Sequence, residues 1–165
     1  MEATSAIVVA VAFTPEQARG LKIPRGFGYL VPQHRGTDSQ LLACTFVDQK
    51  FTHRAPDGGI LLRGFFGSDV AEALLNENDE TLTTLAVQRL SDVLGPLPSP
   101  HLSVVRRWPL SLPQYAVGHL ERIARLEALV RSFPGLHLAG NAYHGVGLPD
   151  MVRMGREAAR RAAQA

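Results

Sequence analysis

The residues best suited to chemistry lie in GLHLAGNAYHGVGLPDMVRMGREAA, Gly135 to Ala159, where an apolar run ends in glycines and feeds a helix-like tail. Such a turn presents backbone N–H groups and the positive end of a helix dipole to a negative charge. The plainer alternative is a tight turn that needs glycine for steric reasons. The dinucleotide fingerprint G-x-G-x-x-G is not satisfied, because Gly145 and Gly147 are followed by Asp150 where the third glycine belongs. The second strand and the acidic residue ~20 positions on that hold a ribose are also missing. The turn is therefore not read as a primary nucleotide-binding unit. His119 and His144 have no second histidine or carboxylate at metal-ligand spacing, so no metal site is expected.

The elements that must carry this turn follow from periodicity. Residues 5–13, SAIVVAVAF, are too short for the ~20 residues of a membrane span and lack the basic start of a signal peptide, so they are read as a buried strand. A continuous apolar strand is usually central, yet this one begins almost at Met1, as though it continued a sheet begun earlier. FGYLVPQ, LLACTFVDQKF and ILLRGFFG read as strands joined by the turns HRGTDSQ and RAPDGG, an antiparallel meander. From Asp79, taken as N-cap, Leu82, Leu85, Ala86, Leu90, Val93 and Leu94 share one helical face until Gly95-Pro96, and DVAEALL forms a shorter helix before it. HLSVVRRW reads as a strand, and PLSLPQYAVGH has too many prolines for either element. LERIARLEALVRSF is a helix facing inward through Leu120, Ile123, Leu126 or Glu127, Val130 and Phe133. LHLA is a short strand, and the final helix starts at LPD with Pro149 in its first turn. The order indicates an α+β fold with a mixed, largely antiparallel sheet and helices on one face.

Composition narrows the function classes. The chain has 165 residues, 17 basic and 15 acidic side chains and a formal charge of +2, too weak a bias to imply nucleic acid. Its lone cysteine, Cys44, cannot form an intrachain disulfide, which fits a reducing compartment such as the cytoplasm.

Five ordered segments carry a more specific signal. The Gly135–Ala159 stretch resembles the C-terminal signature of the protoporphyrinogen oxidase family, within the amine-oxidase-like FAD enzymes. RRWPLSLPQYAVGHLERI resembles its R-W-x-x-x-x-P-Q-Y-x-x-G-H segment, and GFGYLVP, KFTHRAP and LLRGFFG resemble its G-F-G-x-L-V-P, S-x-x-F-P-x-R-A-P and glycine-ending strand motifs. Two departures stand out: GSD at 67–69 replaces a double glycine, and DQKF replaces a serine-rich approach to the phenylalanine.

The resemblance implies FAD as cofactor, a porphyrinogen (protoporphyrinogen or coproporphyrinogen) as substrate in haem biosynthesis, and oxygen as usual acceptor. It covers only the C-terminal part of such an enzyme. Residues 1–134 would be mostly substrate-binding domain and 135–165 the last strand, turn and helix of a Rossmann-type FAD domain, whose N-terminal half is an expected partner. The family pattern puts Trp108, Asn141, Val146, Gly147 and Leu148 at the flavin and Leu30, Phe51 and Arg54 on the substrate side. For the last three, plain core or solvated turn residues are equal alternatives, and Trp108 has the alternative of a core aromatic. No catalytic side chain is implied, because the flavin carries the chemistry. Peripheral membrane association and a homo-oligomer are further partner expectations. The competing readings are an amine oxidase or carotenoid desaturase, and a porphyrin-binding module without redox activity.

Overall fold

A computed structural model describes residues 2–32 and 40–164. The expected turn at HRGTDSQ lies almost wholly outside the described residues. Contacts divide the chain into two compact units, Ala3–Leu112 and, with Glu2, residues 113–164.

The first unit is a five-stranded sheet. Strand β1 (Ala3–Phe13) buries alternate residues, Ser5, Ile7, Val9, Val11 and Phe13, the period-2 pattern of a strand covered on one face. A four-residue helix, α1 (Pro15–Ala18), follows, and β2 (Gly28–Leu30), β3 (Ala43–Phe46), β4 (Ile60–Gly67) and β5 (Leu102–Pro113) complete the order β2-β3-β4-β1-β5. The pairs β2–β3, β3–β4 and β4–β1 are antiparallel, with Tyr29 opposite Cys44, Cys44 opposite Gly64 and Val9 opposite Gly64. At the β1–β5 edge the His101 N–H donates to the Ala12 carbonyl and the Leu110 N–H to Ser5 Oγ, again an antiparallel sense. Both described neighbours of β1, β4 and β5, thus belong to this chain, and β1 is central among these strands, as its continuous apolar pattern implies.

Helices α3 (Ser68–Leu74) and α4 (Asp79–Leu94) supply the core from above the sheet. Ala71, Leu82, Ala86 and Leu90 join Ile7, Val9, Val11, Leu62, Phe66 and Val105 in one cluster. The N-cap of α4 is Asn78, not Asp79: its side chain accepts from the Thr81 N–H at 2.8 Å, leaving Asp79 to add charge to the first turn. Val93 falls outside the buried stripe and is exposed.

Three other expectations are corrected. VDQK is a helical turn, α2 (Val47–Lys50), because Asp48 Oδ1 accepts the Leu61 N–H and so bends the chain after β3. β5 continues through Pro109 and Pro113, which an edge strand accommodates because one side of its ladder is unpaired. LHLA forms no strand, since no described strand pairs with residues 136–139.

The second unit contains α5 (His119–Val130) and α6 (Leu148–Ala162). Its buried residues are His119, Ile123 and Met154, whereas Leu120, Leu126 and Phe133 are exposed, so α5 turns inward on a narrower stripe than expected. Among the described residues no helix is long and apolar enough to cross a membrane.

Candidate functional site

In the second unit the glycine turn is built from its own crowding. Gly145 has φ +99°, a left-handed conformation, and a Cβ there would lie 2.5 Å from Asp150 Oδ2. Gly147 has an ordinary φ of −74° as the N-cap of α6, and a Cβ there would meet the same oxygen at 3.3 Å. Within this chain the two glycines make room for the Asp150 carboxylate, which sits in the first turn of α6 and pairs with Arg153 at 3.1 Å. Gly147 gives α6 no side-chain cap, so the orphan N–H groups of a helix start lie between the exposed side chains of Val146 (60%) and Leu148 (74%). Uncapped donors flanked by apolar side chains suit the polar edge of a planar, partly apolar ring system. Asn141 is half-buried upstream of the turn, and its carbonyl accepts from the Tyr115 hydroxyl.

In the sheet unit Trp108 is 53% exposed and is not part of this chain's own core. Its orientation follows from the preceding residue. Arg107 lies on the same strand face as buried Val105 and reaches the α3–α4 connection. There its Nε donates to the Leu75 carbonyl at 3.0 Å, Nη1 to Asp79 Oδ1 at 2.7 Å and Nη2 to the Glu77 carbonyl. Successive strand residues point to opposite faces, so Trp108 stands on the face away from those helices. Leu110, at φ +45° with its N–H on Ser5 Oγ, bends the edge strand just beyond.

Phe51 and Arg54, both exposed, line one open pocket of 550 Å³ together with Leu21, Ile23, Asp48 and Gln49. Its walls are held by the residues that replace the expected serine-rich segment. Gln49 accepts from the Gly26 N–H and donates to the Pro24 carbonyl, both at 3.0 Å, and Asp48 Oδ1 holds the start of β4. Arg54 has no salt-bridge partner among the described residues. Leu30, the last residue of β2, is 82% exposed and does not line this pocket. Leu30 is thus outside this chain's own core, and Phe51, just after α2, is partly exposed at 44%.

No group of three or more His, Cys, Asp or Glu side chains among the described residues could hold a metal ion. His144 Nε2 contacts Glu127 Oε1 at 2.8 Å, a surface pair, and His119 is buried.

The profile of the family described as flavin containing amine oxidoreductase matches residues 1–163. The chain belongs to that family. Within it, the chain is similar to coproporphyrinogen III oxidase of Bacillus subtilis (strain 168), 35% identical over 159 residues that cover 96% of this chain and 33% of the relative. It is also similar to the chloroplastic protoporphyrinogen oxidase of Nicotiana tabacum, 30% identical over 139 residues, 82% of this chain and 25% of that one. A crystal structure from Exiguobacterium sp. 255-15, carrying a provisional protoporphyrinogen oxidase name, superposes with TM-score 0.82 at 35% identity over 99% of this chain and 36% of its own. Putrescine oxidase shares the fold alone, at TM-score 0.57 and 18% identity. The chain spans about a third of the length of the first two coproporphyrinogen III oxidases it matches.

Reading the amine oxidoreductase chain from its residues missed two contributors. Arg107 sits between Val105 and Trp108, where a long cation on the covered face was the available signal. Tyr115 was part of a quoted motif, but its contact with residues 141 and 145 is long-range and left no periodic trace.

Proposed function

We propose that this chain is the C-terminal part of an FAD-dependent porphyrinogen oxidase, with coproporphyrinogen as the favoured substrate. The observation that carries the reading is the match over 96% of the chain to a coproporphyrinogen III oxidase at 35% identity. The uncapped start of α6 supports it, because the residues there suit a flavin ring. In this reading residues 1–134 contribute mainly the substrate side and residues 135–165 the flavin side, with the nucleotide-binding part of FAD held by the remainder of the family fold.

When bound, the flavin supplies hydride acceptance from the porphyrinogen, and oxygen regenerates it. The chain's own residues bind and orient. The uncapped N–H groups at the start of α6, by Gly147 and Leu148, would stabilise negative charge on a bound flavin ring, and the α6 dipole would act in the same sense. Val146, Leu148 and Asn141 would line the flavin in the second unit, and Trp108, in the sheet unit, is proposed as a separate flavin contact. Phe51 would supply an apolar surface for the macrocycle and Leu30 a second one, and Arg54, with no salt-bridge partner among the described residues, would offer a guanidinium to a propionate. Coproporphyrinogen carries more propionates than protoporphyrinogen, and three bacterial relatives, at 35%, 29% and 39% identity, are coproporphyrinogen III oxidases by name.

The test is oxidation by this chain assembled with the polypeptide that supplies the rest of the relatives' length. Coproporphyrinogen, protoporphyrinogen and putrescine are offered in turn under air, and porphyrin absorbance and flavin bleaching are followed. Porphyrin formation, fastest from coproporphyrinogen, is expected. Turnover of the amine with no porphyrin formed would overturn the proposal.

A further inference from the structure

Tyr115 and His119, which no step above uses, hold the glycine turn from beneath. Their rings are stacked, with centroids 3.9 Å apart and planes 9° from parallel. The Tyr115 hydroxyl donates to the Asn141 carbonyl at 2.6 Å and accepts the Gly145 N–H at 3.1 Å. His119 Nε2 lies 2.8 Å from the Tyr143 carbonyl. A carbonyl only accepts, so Nε2 carries the proton. The two rings therefore grip the backbone at alternate residues, 141, 143 and 145, immediately before Val146 and the start of α6.

The grip is itself anchored. Gly118, at φ +78°, caps α5 in the left-handed region and lets the chain reverse between Tyr115 and His119. Arg122 donates from Nη1 to the Val117 carbonyl at 2.9 Å and from Nη2 to the Ala116 carbonyl at 3.3 Å, fixing the residues between the two rings. His119 is buried, so its N–H bond to Tyr143 is shielded from water and costly to leave unmade. Gly145 has φ +99°, a conformation whose direction of exit is set by whatever holds its N–H.

We propose that Tyr115 and His119 are positioning residues for the Val146–Leu148 segment, setting where the N–H groups at the start of α6 stand relative to the flavin. Neither ring touches the reacting atoms; both act through the backbone of residues 141–145. The inference rests on the proposed flavin role of that segment, while the clamp itself is independent of it.

Two substitutions in the assembled protein separate these levels. Tyr115→Phe keeps the stack and removes the hydroxyl, and His119→Gln keeps an N–H donor without the ring. Hydrogen exchange is read by mass spectrometry on peptides covering residues 138–147, with flavin present and after its removal. Tyr115→Phe is expected to speed exchange there at least tenfold in both states, and His119→Gln by less. In the loaded protein Tyr115→Phe should also lower the flavin midpoint potential, shift its visible absorbance, and reduce kcat with KM changed less than twofold. Unchanged exchange in Tyr115→Phe would overturn the clamp whatever the chain's function. Faster exchange with an unmoved potential and spectrum would overturn the positioning role and leave the clamp. A wild-type assembly that holds no flavin would overturn the function on which the positioning role rests, and with it that role, while the exchange result would still stand.

Discussion

Ser68 stands where the resembling family places the second of two glycines, and it adopts φ +50°. A left-handed backbone costs an L-residue roughly 1–2 kcal/mol, and glycine escapes that cost while losing roughly 0.5–1 kcal/mol of chain entropy. Ser68 is exposed and makes no side-chain cap to α3, so little offsets the strain. Ser68→Gly is therefore expected to stabilise the sheet unit by about 0.5 kcal/mol, read as a higher urea midpoint at unchanged slope. The departure was visible in the residues; its backbone angle was not, because φ at a strand-to-helix junction is set by both elements. Cys44 offers a second check. Burial pushes its thiol up to about 12 from an ordinary value of 9.0, and burial also raises its cross-strand partner Tyr29. Both groups are neutral in the fold, so above pH 9 the unfolded chain releases protons that the native chain keeps. Stability contributed by Cys44 is complete below pH 9 and is lost as pH rises toward 12, at a slope of at most about 1.4 kcal/mol per pH unit. Urea melts from pH 8 to 11 should fall in this sense, and Cys44→Ala should flatten the fall while lowering stability at neutral pH.

Between elements, the joint that orients Trp108 is the fork of Arg107 on the α3–α4 connection. Two of its acceptors are main-chain carbonyls in the connection after α3, those of Leu75 and Glu77, and the third is the exposed carboxylate of Asp79. An exposed ion pair contributes little, whereas hydrogen bonds from a charged donor to carbonyls contribute about 1.5–3 kcal/mol. The order of effects follows: Arg107→Ala should cost about 1–2 kcal/mol and Asp79→Asn only a few tenths. Equal losses in the two variants, measured by denaturant melts, would show that the charge pair and not the carbonyl fork holds the joint. At this scale the legible elements were those whose burial is periodic within themselves. β1 and β4 repeat at 2 and α4 near 3.6 residues and were read close to their observed bounds, whereas α3 and α6, with one buried residue each, were placed by their flanking residues. β5 beyond Trp108 and the absence of a strand at LHLA were not legible, since both depend on which neighbour pairs with the backbone. Pro109 and Pro113 argue against a central strand but not against an edge, and edge position is a property of the assembled sheet.

Across the whole chain the two units differ in how much they bury. The sheet unit closes a continuous core from Ile7 to Val105, whereas residues 113–164 bury only His119, Ile123 and Met154 and expose Val117, Leu120, Leu129, Phe133, Leu148 and Val152. A unit with so little apolar burial opens at low cost, so amides of α5 and α6 should exchange well before those of β1 and β4. The candidate residues were legible as a set of motifs, but how much each unit buries was not, because contact density has no local signature in the residues. That difference sharpens the expectation for the cofactor. In the proposed reading the uncapped start of α6, and separately the exposed Trp108, would meet only the ring of a flavin, and the described residues carry no dinucleotide fingerprint for its pyrophosphate. Most of the affinity for FAD must then come from residues of the family fold outside this chain. The chain alone is expected to retain flavin only substoichiometrically after gel filtration, with its single tryptophan emitting at the long wavelength of a solvated indole. Assembly with the rest of the fold should give a stoichiometric yellow complex in which Trp108 emission is quenched by the adjacent flavin, and α5 and α6 exchange slows. Stoichiometric flavin on the chain alone would move the nucleotide site into these residues, and unquenched Trp108 in the yellow complex would remove that side chain from the flavin wall.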